Sequence, residues 1–500
     1  MRIHHWISVL AVSLGAIPLL ANAQQLPAAP AVRVDWAKTV SVSRATPTLQ
    51  VVVNPQLLRG AKLHDGSFAA LKLLGADYVR YVPWLPYPRQ AVAELDPPTK
   101  ERTSWDFQYI DPTLDDFMQA TAGHSVMLNF STMPAWMWKT DKPVTYPADP
   151  NQVFWGYTQG TEIVDPTYKQ AADYYVRLLS WYTKGGLTDE NGKWHASGHH
   201  YKVAYWELLN EVESEHHWTP EEYTKFFDVV TEAMRKVQPD LKFVAIAASA
   251  PREDGPMWEY FLNPKNHKPG STVDFISYHF YATPPKGEPI AAMQYTFFDQ
   301  ADGFLTGVRF IEQIKHRMMP DTKSDLNELG VILPTDDDSN QGRGSVPEPE
   351  GYWNLASALY AHLYIKLAQL GIDVVGESQL VGYPTQYPSV SMMDYNTAQP
   401  NARFWTLKLL HDNFGPGDKL VANTSPGNNM TAQAFVTPRG KKILVLNRRA
   451  VAQTFKLGTN TAKSVTYVAP STGDNPPATK AVGGKEIELE PFEVAVIDVQ

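Results

Sequence analysis

Two stretches of this 500-residue chain set an asparagine directly before a glutamate in largely apolar surroundings: Leu208-Leu209-Asn210-Glu211 and Leu326-Asn327-Glu328-Leu329. A carboxyl group that alternates between acid and base can hand a proton to a departing oxygen, and a second, ionised carboxylate can attack the carbon that oxygen leaves. Glycosidic bonds are hydrolysed by such a pair, about 5 Å apart when the anomeric configuration is retained. An asparagine beside the acid adds a donor for a neighbouring hydroxyl. One Asn-Glu pair among 53 acidic residues reads most simply as an acidic strand end; two pairs, each on a mostly apolar run, form a pattern. Glu207 and Glu213 compete with Glu211, and Glu377 competes from a later apolar run. With strand pleating carried through, Glu207, Leu209 and Glu211 share a face, and Glu211 is preferred because it alone follows Asn.

Bringing two such residues together requires a scaffold that gathers distant strand ends, and the chain reads as one. Apolar runs at Thr48–Asn54, Ala76–Trp84, His124–Ser131, Lys202–Glu213, Leu241–Ser249, Val273–Tyr281, Lys323–Ile332 and Ile372–Leu380 make eight strand candidates. Helical patterns lie between them, among them Gly66–Leu74, Ile110–Ala120, Tyr168–Tyr182, Pro220–Val237 with Thr219 as its cap, and Asn354–Leu370, followed by Ala402–Asn413. Eight strands alternating with helices predict an α/β fold, a (β/α)8 TIM barrel, with its chemistry at the C-terminal strand ends. Glu211 closes the fourth strand and Glu328 sits in the seventh, across the barrel mouth. After residue 418 the pattern changes to short alternating runs such as Met430–Val436, Lys442–Leu446 and Val494–Val499, which predict an accessory antiparallel β-sandwich that Val32–Val42 joins. The expected organisation is a signal peptide over 1–23, a joining segment over 24–47, the barrel over 48–417 and the sandwich over 418–500.

Composition narrows the function. Hydrophobic residues at 43% and charged residues at 19% describe a globular chain, and a net charge of −9 with a pI near 5.9 excludes the basic face that a nucleic-acid partner needs. Residues 1–25 have Arg2, an apolar segment from Trp6 to Leu20 and Ala21-Asn22-Ala23, a pattern that predicts export to the periplasm or medium; no later run is long enough to span a membrane. With no cysteine, there is neither a disulfide nor a thiolate site, and no spacing suggests a metal, phosphate-loop or dinucleotide cofactor. His199-His200 and His216-His217 read as loop histidines, and Asp336-Asp337-Asp338 as a solvated loop, with a calcium site a distant second. The 14 Trp and 24 Tyr are numerous enough to include sugar-stacking platforms, with Trp84, Trp136, Trp138 and Trp155 the candidates near strand ends. Arg80 is placed to pair with a catalytic carboxylate.

Trp206–Glu211 (WELLNE), Val273–Tyr281 (VDFISYHFY), Leu326–Gly330 (LNELG) and Trp105–Asp115 (WDFQYIDPTLD) together resemble the landmarks of clan A retaining glycoside hydrolases, most of all glycoside hydrolase family 39, which includes β-xylosidases and α-L-iduronidases. The resemblance covers roughly 48–414. It implies Glu211 as acid/base, Glu328 as nucleophile, Asn210 reading the sugar 2-hydroxyl, and Tyr278 or His279 lining the site from strand six. The chain departs from the family's Trp-Asn-Glu-Pro-Asn at Leu209-Asn210-Glu211-Val212-Glu213. The expected function is exo-hydrolysis of a β-xyloside or related glycan, with oligosaccharide or polysaccharide as the partner. An endo-acting hydrolase or transglycosidase of the same clan and a non-catalytic carbohydrate-binding barrel are the alternatives.

Overall fold

A computed structural model describes residues 30–156, 160–249, 255–343, 347–482 and 485–500. The N-terminal segment read as a signal peptide lies outside the described residues. Eight parallel strands close into a barrel in the order expected, from the first (Thr46–Val52) through the second (Val79–Val82), third (Val126–Leu128), fourth (Tyr205–Glu207), fifth (Lys242–Ala248), sixth (Phe275–Ala282) and seventh (Lys323–Val331) to the eighth (Val374–Glu377), which pairs back with the first. Strands enclosed on both faces read as continuous apolar runs. The fifth is such a run, buried from Phe243 to Ala248, while the seventh, buried from Ser324 to Val331, carries Ser324, Asp325, Asn327 and Glu328 as polar exceptions.

A helix follows each strand. Pro220–Val237 starts with the capping box expected of Thr219: its hydroxyl accepts from the Glu222 N–H at 3.2 Å while the Glu222 carboxylate takes the Thr219 N–H at 2.9 Å. The 29-residue helix Ile290–Met318 after strand six is absent from the sequence reading. The two glycines inside it, Gly303 and Gly307, weaken its helical signature, and packing of Phe297, Phe298, Phe304 and Ile311 overrides that propensity. Asp336-Asp337-Asp338 corrects another expectation. Asp336 is buried, and its carboxyl accepts from the Ser389 hydroxyl at 2.6 Å, docking the loop after strand seven onto the loop after strand eight. Burial pushes its pKa up to about 7, against the Ser389 hydrogen bonds.

The accessory unit is a seven-stranded antiparallel sheet faced by a two-stranded antiparallel sheet, Gln453–Lys456 paired with Glu486–Leu489. Its edge strand is the N-terminal Val34–Val42, paired with Lys419–Asn423. Strand parity divides the sheet. Ile443, Val445, Ala495 and Ile497 face Phe455, Ile487 and Leu489 of the two-stranded sheet, whereas Leu444, Leu446, Val494 and Val496 join the barrel core. Both faces being buried, the strand centre Ile443-Leu444-Val445-Leu446 is apolar without alternation. No helix among the described residues is long and apolar enough to cross a membrane.

Candidate active site

The barrel's C-terminal mouth is built on one buried guanidinium. Arg80, on the second strand and 1 % exposed, reaches four partners: Nε to Glu207 Oε2 (2.5 Å), Nη1 to Gln50 Oε1 (2.7 Å) and to Glu328 Oε1 (2.5 Å), and Nη2 to Asn210 Oδ1 (2.7 Å). Burial works against the charge, but Glu207 and Glu328 overcome it and raise the pKa, so one fixed cation is set against two carboxylates.

Glu207, a rival in the sequence, is fully buried beneath the mouth. It also accepts from Asn129 Nδ2 (2.5 Å), Ser277 Oγ (2.5 Å) and Asn327 Nδ2 (2.8 Å), which fills its lone pairs and removes it from any substrate. The pleating that would have put Glu207, Leu209 and Glu211 on one face does not persist. Strand four ends at Glu207, and Leu209 and Glu211 adopt left-handed conformations, φ 63° and 43°. Such backbone is costly for residues with a Cβ and is held only where neighbours over-determine it. Here the Glu211 N–H donates to Ala247 O (2.9 Å), and the Tyr223 hydroxyl bridges Leu208 O and the Ile246 N–H. The turn swings Glu211 into the mouth. Glu213 is a strap that accepts from the Ser249 hydroxyl at 2.7 Å, and Glu377 is a buried partner of Arg403 Nε at 2.8 Å.

Glu328, 9 % exposed, accepts from Tyr281 OH at 2.7 Å as well as from Arg80. Burial pushes its pKa up; His279, Arg80 and the Tyr281 hydrogen bond outweigh that and leave it below the usual glutamate value. His279 stands between the two carboxylates, Nδ1 at 2.9 Å from Glu211 Oε1 and 3.6 Å from Glu328 Oε2. Its pKa is raised, since Glu328 and Glu211 overcome burial. One atom from each of Glu211, His279 and Glu328 lies within 4.8 Å of the others. That triple has the spread of a metal ligand set, but Arg80 and Tyr281 already occupy the Glu328 oxygens, and a cation there would face the guanidinium. The arrangement suits proton handling between an ionised carboxylate and one that exchanges protons with solvent.

A cavity of about 200 Å³ opens above these groups, lined by Gln50, Trp84, Asn210, Glu211, Tyr281, Glu328, Gln379 and Tyr387 among others. Trp84, Trp155 and Tyr387 form an aromatic wall, with Trp84 and Tyr387 stacked at 6.1 Å and Trp155 edge-on to both. Trp155 Nε1 donates to Asn340 O and the Tyr387 N–H to Asn340 Oδ1, so the loop after strand seven braces the wall.

The structure thus brings together Glu211, Glu328, Asn210, Arg80, His279 and Trp84. It does not bring Tyr278, which points outward and packs on Trp258 and Phe304. In strand six the inward residues are Ser277, His279 and Tyr281, so the alternation that admits His279 expels Tyr278. Tyr281 was the residue to find by that parity. Trp136 is also outside the cavity lining, its indole donating to Glu94 O at 3.0 Å, and Trp138 stacks on the buried His216. Gln50, Gln379 and Tyr387 went unrecognised, because a Gln or Tyr outside a motif carries no signal of its own.

No family model matches the chain, and no curated protein matches it by sequence. Solved structures do. A family 51 α-L-arabinofuranosidase from Bifidobacterium longum aligns with TM-score 0.62 and 14% identity over 94% of this chain and 100% of that one. A glucosidase from Croceicoccus marinus gives 0.59 and 13% over 94% and 98%, and a GH30 endoxylanase from Clostridium papyrosolvens C71 gives 0.54 and 14% over 93% and 99%. At such identities the likeness is one of fold, and it extends over both the barrel and the accessory sheets.

Proposed function

We propose that this protein is an exported retaining glycoside hydrolase that removes single neutral sugars, of the pentoside type, from the end of a glycan. The observation that carries the reading is the pair formed by Glu211, in the turn after strand four, and Glu328, on strand seven, with carboxylate oxygens within 4.8 Å of each other. That spacing fits direct attack by a carboxylate and leaves no room for the intervening water of an inverting enzyme. Glu328 attacks the anomeric carbon as Glu211 gives its proton to the departing glycosidic oxygen, leaving a glycosyl ester on Glu328. Esterification removes the Glu328 negative charge. Glu211, now ionised, takes a proton from water as that water attacks the same carbon, and Glu328 leaves as carboxylate. Arg80 and Tyr281 hold Glu328 ionised and aimed; His279, hydrogen-bonded to Glu211, fixes the acid's direction.

Three observations support the finer reading. The small cavity, walled by Trp84 and Tyr387 with Trp155 packed edge-on against both, suits one sugar ring rather than a run of them. Among the described lining residues there is no Lys or Arg to meet a uronate carboxylate, which favours neutral sugars over an iduronide. The family 39 resemblance includes β-xylosidases, and two of the structural neighbours are an arabinofuranosidase and an endoxylanase. Export is supported by the apolar N-terminal segment with its small-residue site.

Nitrophenyl xyloside, arabinofuranoside, glucoside and glucuronide make the first test. We expect turnover of a pentoside and none of the glucuronide. Glu328→Ala should lose activity and recover turnover of the activated glycoside with azide, yielding a glycosyl azide of inverted configuration. Full activity in that variant would overturn the nucleophile assignment. Release of mixed oligosaccharides instead of one sugar from a glycan would favour endo action.

A further inference from the structure

A third carboxyl group stands beside the cavity, and the two-carboxylate reaction does not use it. Glu215 ends the short helix Val212–Glu215, and its Oε1 accepts from Asn210 Nδ2 at 2.9 Å and from Trp84 Nε1 at 3.0 Å. Both donors line the cavity, Trp84 from the loop after strand two and Asn210 from the turn after strand four. An asparagine amide is nearly symmetric in shape, so its partners decide which end is oxygen. Asn210 is held at both ends: Oδ1 accepts from Arg80 Nη2 at 2.7 Å, and Nδ2 gives one of its two hydrogens to Glu215. Turning the amide over would set the NH2 group against a guanidinium. Among the described residues nothing else takes an N–H of Asn210, so one is left for a ligand in the cavity. Trp84 has a single indole N–H, and its bond to the same oxygen fixes the rotation of the ring within the wall.

We propose that Glu215 is a positioning residue for the glycosidase reaction, orienting the Asn210 amide toward the sugar 2-hydroxyl and locking the Trp84 wall beside it. Through Asn210 it makes the enzyme selective for glycosides that carry that hydroxyl. The proposal rests on the retaining glycosidase reading. It distinguishes Glu215 from Glu211 and Glu328, which handle the proton and the anomeric carbon, because Glu215 acts on the substrate only through Asn210 and Trp84.

The test compares Glu215→Ala and Glu215→Gln on the nitrophenyl glycoside that the wild type turns over and on its 2-deoxy counterpart. Glutamine keeps an acceptor oxygen at the same place, and alanine removes it. We expect Glu215→Ala to lose about 10- to 100-fold in kcat/KM on the 2-hydroxy substrate, the size common for residues that orient a reacting group. On the 2-deoxy substrate it should lose far less, and Glu215→Gln should retain near-wild-type values on both. An equal loss on both substrates, or a Glu215→Gln variant as impaired as Glu215→Ala, would overturn the proposal, since a merely structural role predicts that pattern. A second readout is independent of turnover. The Trp84 indole proton, assigned in ¹⁵N-tryptophan-labelled protein by its loss in Trp84→Phe, should move upfield and exchange faster in Glu215→Ala but not in Glu215→Gln. An unchanged signal in Glu215→Ala overturns the proposal even if no glycoside is cleaved, whereas an inactive wild type with the expected indole shift counts against the glycosidase reading alone.

Discussion

Tyr278 and Tyr281 are three residues apart on one strand, and the structure gives them opposite fates. Tyr281 OH donates to Glu328 Oε2, and that bond helps hold the carboxyl below its ordinary pKa. Tyr281→Phe should therefore lower kcat/KM by about 10- to 100-fold. It should also move the acid limb of the pH profile upward. A depressed carboxyl keeps its charge until the pH falls through its pKa, so losing a donor makes Glu328 protonate at a higher pH. A pH series on the activated glycoside measures both effects. Tyr278 OH is buried and has no hydrogen-bond partner among the described residues. Tyr278→Phe should leave activity unchanged and stability equal or higher, by up to about 1 kcal/mol in a denaturant titration, because no hydrogen bond is lost and a desolvated hydroxyl is removed. Residue identity alone shows two tyrosines near a histidine; only strand phase separates them.

At the scale of elements, the eight strands were legible because a strand buried on both faces must be an apolar run, and Leu241–Ser249 and Val273–Tyr281 are such runs. The capped helix was legible for a similarly local reason, Thr219 followed three residues later by Glu222. Thr219→Ala should cost about 1 kcal/mol of stability, read as a lower denaturant midpoint at unchanged slope, with kinetics unaltered. Connections were harder. The left-handed turn at Leu209 and Glu211 depends on hydrogen bonds from Tyr223 and to Ala247, which come from other elements and leave no mark in the local sequence. The clamp of Asp336 on Ser389 is likewise a contact between two loops, and three successive aspartates look solvated until one of them is seen to have a buried hydroxyl beside it. Of the site, the two Asn-Glu ends, Arg80, His279 and Trp84 could be read ahead; the walls built by Gln50, Gln379 and Tyr387 could not.

In the whole molecule the barrel and the accessory sheet share one continuous core. Phe435 of the sheet packs on Phe414 at 4.5 Å, His362 Nδ1 and Thr431 Oγ1 lie 2.9 Å apart, and the Ala450 N–H donates to Gln294 of the long helix. Barrel and sheet should accordingly melt in one transition. Phe435→Ala, which opens a cavity at their junction, should destabilise both together by about 3–5 kcal/mol. Calorimetry would detect a lower single peak; two separated peaks would show that the units unfold independently.

The edge strand Val34–Val42 finds its partner, Lys419–Asn423, only at the far end of the barrel sequence. During synthesis at about 5–20 residues per second, roughly 20–75 s pass before that partner exists. Throughout this interval the strand's hydrogen-bonding edge and its Val40 and Val42 side chains, exposed even in the finished fold, stand open to other chains. The first barrel strand also waits, for the eighth strand Val374–Glu377, but with one edge only, because its other edge is taken by Val79–Val82 soon after it is made. The nascent protein's period of greatest vulnerability to misassembly therefore belongs to Val34–Val42, and a chaperone that occupies one short segment would be enough to cover it.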